Sequence, residues 1–340
     1  MRKKYIEYLR VISMFAVIAI HVCITALGNF DCDSTTANSM YLSIRNVFHF
    51  AVPVFFMITG ALMLPDKKEM GIKKLLSRYL LKYGLVIIIF GSGYALLEEV
   101  FTKKTFNFRI LATGFMNMLC GKSWEHMWYM YALFGAVLLV PVLRAVVSAF
   151  DNRQRNYLII CMFLFLSFLP CIKELINFSL GISFPISSVY CLYMLIGYWI
   201  DSGEIKISRK YSVLTLAICV LVLILMSIFQ IIYSVSMEAF TAYSSPLILA
   251  LSVSIFSLAR NMEINLSEKT PAFIVKIGEL SFGVYLIHML WINILYKLLE
   301  FNPFSMNAVI SFVIVFIAVS VLSLFSVWIM KKIPFVRKLI

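Results

Sequence analysis

Apolar positions along the chain gather into long runs, separated by short breaks rich in lysine, arginine, proline and acidic residues. A hydrocarbon core of about 30 Å takes about 20 apolar residues to cross as a helix. Windows of that length predict spans near residues 6–28, 41–64, 79–100, 127–148, 157–172, 187–200, 211–233, 243–259, 277–299 and 306–330, ten in all. The fifth and sixth are short, and Pro170 and Pro185 flank the polar connection between them. Lipid offers backbone amides no partners, so each run must close its own hydrogen bonds, and uninterrupted rather than alternating hydrophobicity selects helices over a barrel. The expected fold is an all-α, polytopic transmembrane helical bundle, with residues 1–340 forming a single integral membrane domain. No soluble insert, linker or internal repeat is apparent, and the longest outer segment, about 101–126, is expected to lie along the interface.

Composition agrees with the pattern: 62% of residues are hydrophobic and 14% charged, and the mean hydropathy is +0.93. The first apolar run is long enough to span and is not closed by a cleavage site, so it is read as a retained helix. The formal net charge of +13 would suggest nucleic acid in a soluble protein, but here it is distributed by side. With the N-terminus inside, about 22 basic residues fall in cytoplasmic segments and about five (Lys103, Lys104, Arg109, Lys122 and Lys173) in outer ones. Both termini are therefore expected in the cytoplasm, in a multi-pass protein of the cytoplasmic membrane with lipid, not nucleic acid, around it. The seven cysteines form no C-x-x-C pair and read as small packing residues; Cys32 and Cys120, in loops of the same expected face, are placed so that pairing is open to them. No metal site is expected.

Candidate chemistry is sought where lipid would exclude polar groups. In the first span Arg10 and His21 are eleven residues apart, about 16 Å along a helix axis and about 20° around it, so they share a face. A structural reading makes His21 a hydrogen-bonded packing group and Arg10 a snorkelling interfacial residue. In the ninth span Ser281, Tyr285 and His288 follow the i, i+4, i+7 spacing of one face, and His288 reaches nearly the depth of His21. Glu125, His126 and Trp128 open the fourth span with ionisable and aromatic groups at the outer rim, either an aromatic belt or a place where a polar acceptor approaches. The basic run containing Lys74 and Arg78 lies at a cytoplasmic helix mouth, suited to the phosphates of a substrate or of anionic lipid.

Four of these stretches, in order, resemble the acyltransferase-3 family of integral membrane acyltransferases: Arg10 and His21 with ten residues between them; Val52-Pro-Val-Phe-Phe-Met-Ile-Thr-Gly60; His126-Met-Trp-Tyr-Met-Tyr-Ala-Leu133 with Val140-Pro-Val-Leu-Arg144; and Ser281-Phe-Gly-Val-Tyr-Leu-Ile-His288. The resemblance covers nearly the whole chain. It implies about ten core helices, acyl-coenzyme A (acetyl-CoA above all) as cytoplasmic donor, and transfer to a hydroxyl of an envelope glycan or its lipid-linked precursor. It also implies a catalytic His21 and a donor-binding Arg10. One departure stands out: where many members carry an R-x-x-R pair before the third span, Arg78 is followed by Leu81 and Lys82, so Lys82 or Lys74 would supply the second charge. In the expected mechanism Arg10, Arg78 and Lys74 hold the coenzyme phosphates. His21 deprotonates the acceptor or itself carries the acyl group, and Ser281, Tyr285 and His288 orient the base or stabilise the oxyanion. The alternative is a transporter or exporter of an envelope precursor or amino acid, which broken spans and midplane histidines would also suit.

Overall fold

In a computed structural model, residues 3–65, 71–103, 108–176, 181, 188–263 and 271–340 are described, and among them every regular element is helical. Among the described residues eight helices are long and apolar enough to cross a membrane, and a ninth crossing results if Glu125–Leu138 and Val140–Ala149, bent by 50° at their junction, count as one broken span. Pro141, which lacks the amide that would bond back to Val137, accounts for the break.

The sixth expected span differs. Residues 189–202 form a helix of only 14 residues, about 21 Å long and too short to cross alone. Its neighbours Pro185 and the rest of 182–187 lie outside the described residues. Hydropathy cannot separate a helix sheathed by protein from one sheathed by lipid, because both are apolar all round.

The described chain forms two compact units: Met1–Leu64 with Ala149–Ile329, and Pro65–Ser148 with Met330–Ile340. In the first, α1 (Lys4–Asn29) is followed by α2 (Thr35–Phe48), capped by the Ser34 hydroxyl accepting from the Ala37 amide, and by α3 (Ala51–Met63) after a turn at His49 and Phe50. Then come α4 (Asn152–Ile176), opened by a capping box of Asp151 and Gln154, and α5 (Val189–Ser202). The unit ends with α6 (Arg209–Tyr233), α7 (Pro246–Glu263), α8 (Ala272–Asn293, continued as a wide π turn to Leu298) and α9 (Ala308–Met330).

The core lies between α1, α3, α5 and α7. Helices α3 and α5 cross with backbones in contact: a Cβ on Gly60 would run into the Met194 carbonyl, and one on Gly197 into the backbone of Met57. Without a hydrophobic drive between helices in lipid, such close approach through small residues supplies the association. Helices α6 and α9 expose Leu214, Ile218, Leu221, Leu225, Ile310, Val313, Ile317 and Val321, the surface expected to meet lipid tails. At the end bearing Lys3, the α1 start is tied to α5 by the Lys3–Asp201 ion pair and by the Tyr5 hydroxyl donating to Asp201 at 2.6 Å.

In the second unit the long helix Ile72–Val100 packs on Phe108–Leu119, with Gly114 against Leu96. The Asn117 amide donates to Glu99 at 3.1 Å and the Trp124 indole to Glu98 at 2.9 Å. All seven cysteines are free thiols, so the disulfide open to Cys32 and Cys120 is not formed.

Candidate active site

Helix α1 runs unbroken from Lys4 to Asn29, so the spacing that places Arg10 and His21 on one face holds in the fold. Helix α8 lies beside it and runs the same way: Glu7 meets Gly278 near one end, and the Tyr296 hydroxyl donates to the Val22 carbonyl at 3.3 Å near the other. Two parallel helices carry their side chains tilted in the same sense, toward their N-termini. His21 folds back onto the Val17 carbonyl (Nδ1 to O, 2.9 Å), and His288 folds back onto the carbonyl of Tyr285 (2.6 Å) and, more distantly, that of Val284 (3.2 Å). The rings meet edge to face with centroids 4.9 Å apart. His288 is completely buried and His21 half-buried.

The carbonyl contacts settle the chemistry of each ring. A carbonyl only accepts, so Nδ1 of each histidine carries the proton, and in the neutral ring the lone pair sits on Nε2. Two imidazoles in the same tautomer, each with its basic nitrogen away from its own helix, can take up and hand on a proton within the bundle. The Tyr285 ring lies 6.0 Å from that of His288.

Hydrogen bonds of Ser281 and Arg10 add partners that spacing did not show. The Ser281 hydroxyl donates to the Gly278 carbonyl of its own helix at 2.8 Å. Arg10 is not a lone cation, since its Nη1 donates to Glu7 Oε1 at 3.0 Å, one turn earlier. Glu7 is 4% exposed, and its other oxygen rests where a Cβ on Gly278 would stand only 2.6 Å from it. Glycine at 278 thus leaves room for the carboxylate that orients the arginine.

A third histidine completes the group. His49, at the turn between α2 and α3, is buried, with Nδ1 2.6 Å from the Thr241 carbonyl and its ring 4.7 Å from that of Tyr243. It lies within electrostatic range of both His21 and Arg45. Sequence reasoning passed over His49, Arg45, Asn46, Glu7 and Tyr243. The available signal was that His49 and Arg45 are ionisable residues four apart inside an apolar span.

The remaining candidates belong to the second unit. Lys74 and Arg78 are exposed at the start of Ile72–Val100, with the Arg78 guanidinium 6.0 Å from the Tyr79 ring centre. Glu125 is exposed and Trp128 half-buried. His126 was expected at an accessible rim and is instead 1% exposed, its ring 5.2 Å from Tyr94, which stacks on Trp124 at 4.4 Å. The Trp124 ring, 6.4 Å from that of His126, completes this aromatic surround.

A family model described as an acyltransferase domain, that of the acyltransferase-3 family, matches residues 3–331. The chain belongs to this family. No curated protein and no solved structure matches it. The match spans both units of the acyltransferase and includes Arg10, His21, His49 and His288.

Proposed function

We propose that this membrane acyltransferase transfers an acyl group, acetyl above all, from cytoplasmic acyl-CoA to a hydroxyl of an envelope polysaccharide or its lipid-linked precursor, in the cytoplasmic membrane. The observation that carries the reading is the His21–His288 pair, two imidazoles in contact inside an apolar bundle, both with Nδ1 held by a carbonyl. His21 Nε2 takes the hydroxyl proton as the acceptor oxygen bonds to the thioester carbonyl carbon. The C–S bond then breaks, and the proton passes from the imidazolium to the departing thiolate. His288, with Tyr285 beside it, positions His21 and shares its charge during the transfer. Arg10 spends one N–H on Glu7 and turns its remaining donors to the phosphates of the donor. Arg78 is assigned to the donor on the sequence resemblance, Lys74 on its place in the same basic run, and Glu125 and Trp128 to the acceptor on their expected place at the outer rim.

The decisive experiment uses purified protein in proteoliposomes with labelled acetyl-CoA and isolated envelope glycan. His21→Ala should fold and insert normally and lose transfer by at least a hundredfold, whereas transfer at an undiminished rate would remove His21 from the chemistry.

A further inference from the structure

Arg45 is the most costly side chain in the first unit that acyl transfer at His21 leaves without a task. It stands ten residues past Thr35, about 15 Å into the bundle from the end where α1 turns into α2. From that same end His21 lies about 12 Å deep, eight residues before Asn29, and His288 about 15 Å deep, ten residues before Leu298. The guanidinium therefore shares the level of the histidine pair, and His49 follows it by one helical turn.

Its orientation is held by a chain of hydrogen bonds through buried groups. Arg45 Nη1 donates to Asn46 Oδ1 at 2.8 Å, Asn46 Nδ2 donates to Ser227 Oγ at 2.9 Å, and Ser227 donates to the Leu223 carbonyl at 2.7 Å. Asn46 and Ser227 are completely buried. Arg45 Nε is buried and makes no hydrogen bond among the described residues, and no carboxylate there stands within 4 Å of the guanidinium. Glu238 acts on it only from an exposed position beyond ion-pair distance. Arg10, Lys3 and Arg155 in the same unit each have an acid partner. A planar guanidinium fixed at one corner, with an open N–H edge in an apolar span, is suited to two-point contact with a phosphate or carboxylate.

We propose that Arg45, held by Asn46, is the anchor for an anionic group, a phosphate or carboxylate, on the acceptor, so that the acceptor is a charged molecule. The word acceptor rests on the acyl-transfer reading; the anion site itself does not. Arg10 stands eleven residues before His21 on α1, whereas Arg45 stands at the level of the histidines, which leaves donor and acceptor charges on separate cations.

The site is tested without donor by 31P line broadening of inorganic phosphate, and then of glucose 1-phosphate against glucose, with the full chain in phosphate-free maltoside micelles. Wild-type protein should broaden the phosphate resonance saturably. Glucose 1-phosphate should displace phosphate, and glucose should not. Arg45→Gln should weaken binding at least tenfold, Arg45→Lys should fall between the two, and Lys210→Gln, at an exposed cation, should bind as wild type. Absence of saturable broadening by the wild-type protein, or equal binding by Arg45→Gln, overturns the site. If Arg45→Gln does not fold, wild-type affinity in Arg45→Lys overturns the two-point contact. Displacement of phosphate by equimolar phosphatidylglycerol makes it a lipid headgroup site and overturns the acceptor assignment. Since no donor is present, loss of the anion site leaves acyl transfer standing, and failure of the His21→Ala experiment leaves the anion site standing.

Discussion

At the scale of single residues, the pairing of Arg10 with Glu7 decides how the arginine can work. A guanidinium has five N–H donors in a fixed fork, so holding Glu7 at one corner still leaves an edge for a phosphate. Lysine has a point charge and no such geometry. Arg10→Ala should therefore raise the donor KM about tenfold or more with a smaller change in kcat, and Arg10→Lys should lie between, as read from initial rates against acetyl-CoA concentration. Ser281→Ala should leave kcat/KM within about twofold, because the hydroxyl it removes is bonded within its own helix; a hundredfold loss would return Ser281 to the chemistry. Arg10, His21 and His288 were legible in the sequence because ionisable groups are scarce in apolar runs and these fall at helical spacing. Glu7 was not, since an acid three residues before an arginine near a helix start reads as ordinary surface pairing. Only the packing of α8 shows it 4% exposed.

At the scale of helices, glycine at two positions sets the distance between α3 and α5. A methyl group at Gly60 or at Gly197 would overlap backbone of the facing helix, which cannot move aside as a flexible side chain can. Gly60→Ala and Gly197→Ala should each destabilise the fold by about 1–3 kcal/mol or more, seen as a lower midpoint of thermal unfolding in detergent. Nine of the ten expected spans have counterparts among the candidate crossing helices, with ends shifted by a few residues. The exception, Val189–Ser202, is a short core helix whose apolar composition serves protein contacts instead of lipid. The turn at His49 and Phe50 within the second span was equally hidden, since hydropathy runs through it without interruption.

For the whole molecule, the asymmetry of charge makes a statement that packing does not. From the basic residues concentrated near Lys3, Lys73, Arg153, Lys210 and Lys331 we propose a cytoplasmic N-terminus. Cys32, in the loop between α1 and α2, should accordingly react with a membrane-impermeant maleimide added to intact cells in a Cys120→Ser background. Labelling only after permeabilisation would reverse the orientation. Hydrophobic run length by itself determined that the chain is an all-helical membrane protein, because lipid leaves the backbone no other way to bond. The spacing of rare polar residues within those runs singled out Arg10, His21 and His288. Which helices become neighbours depends on side-chain packing between segments far apart in the chain. Tertiary structure alone therefore decided that His21 meets His288 at 4.9 Å, that Glu7 is buried against Gly278, and that Arg45 lies at the level of the same histidines with His49 one turn beyond.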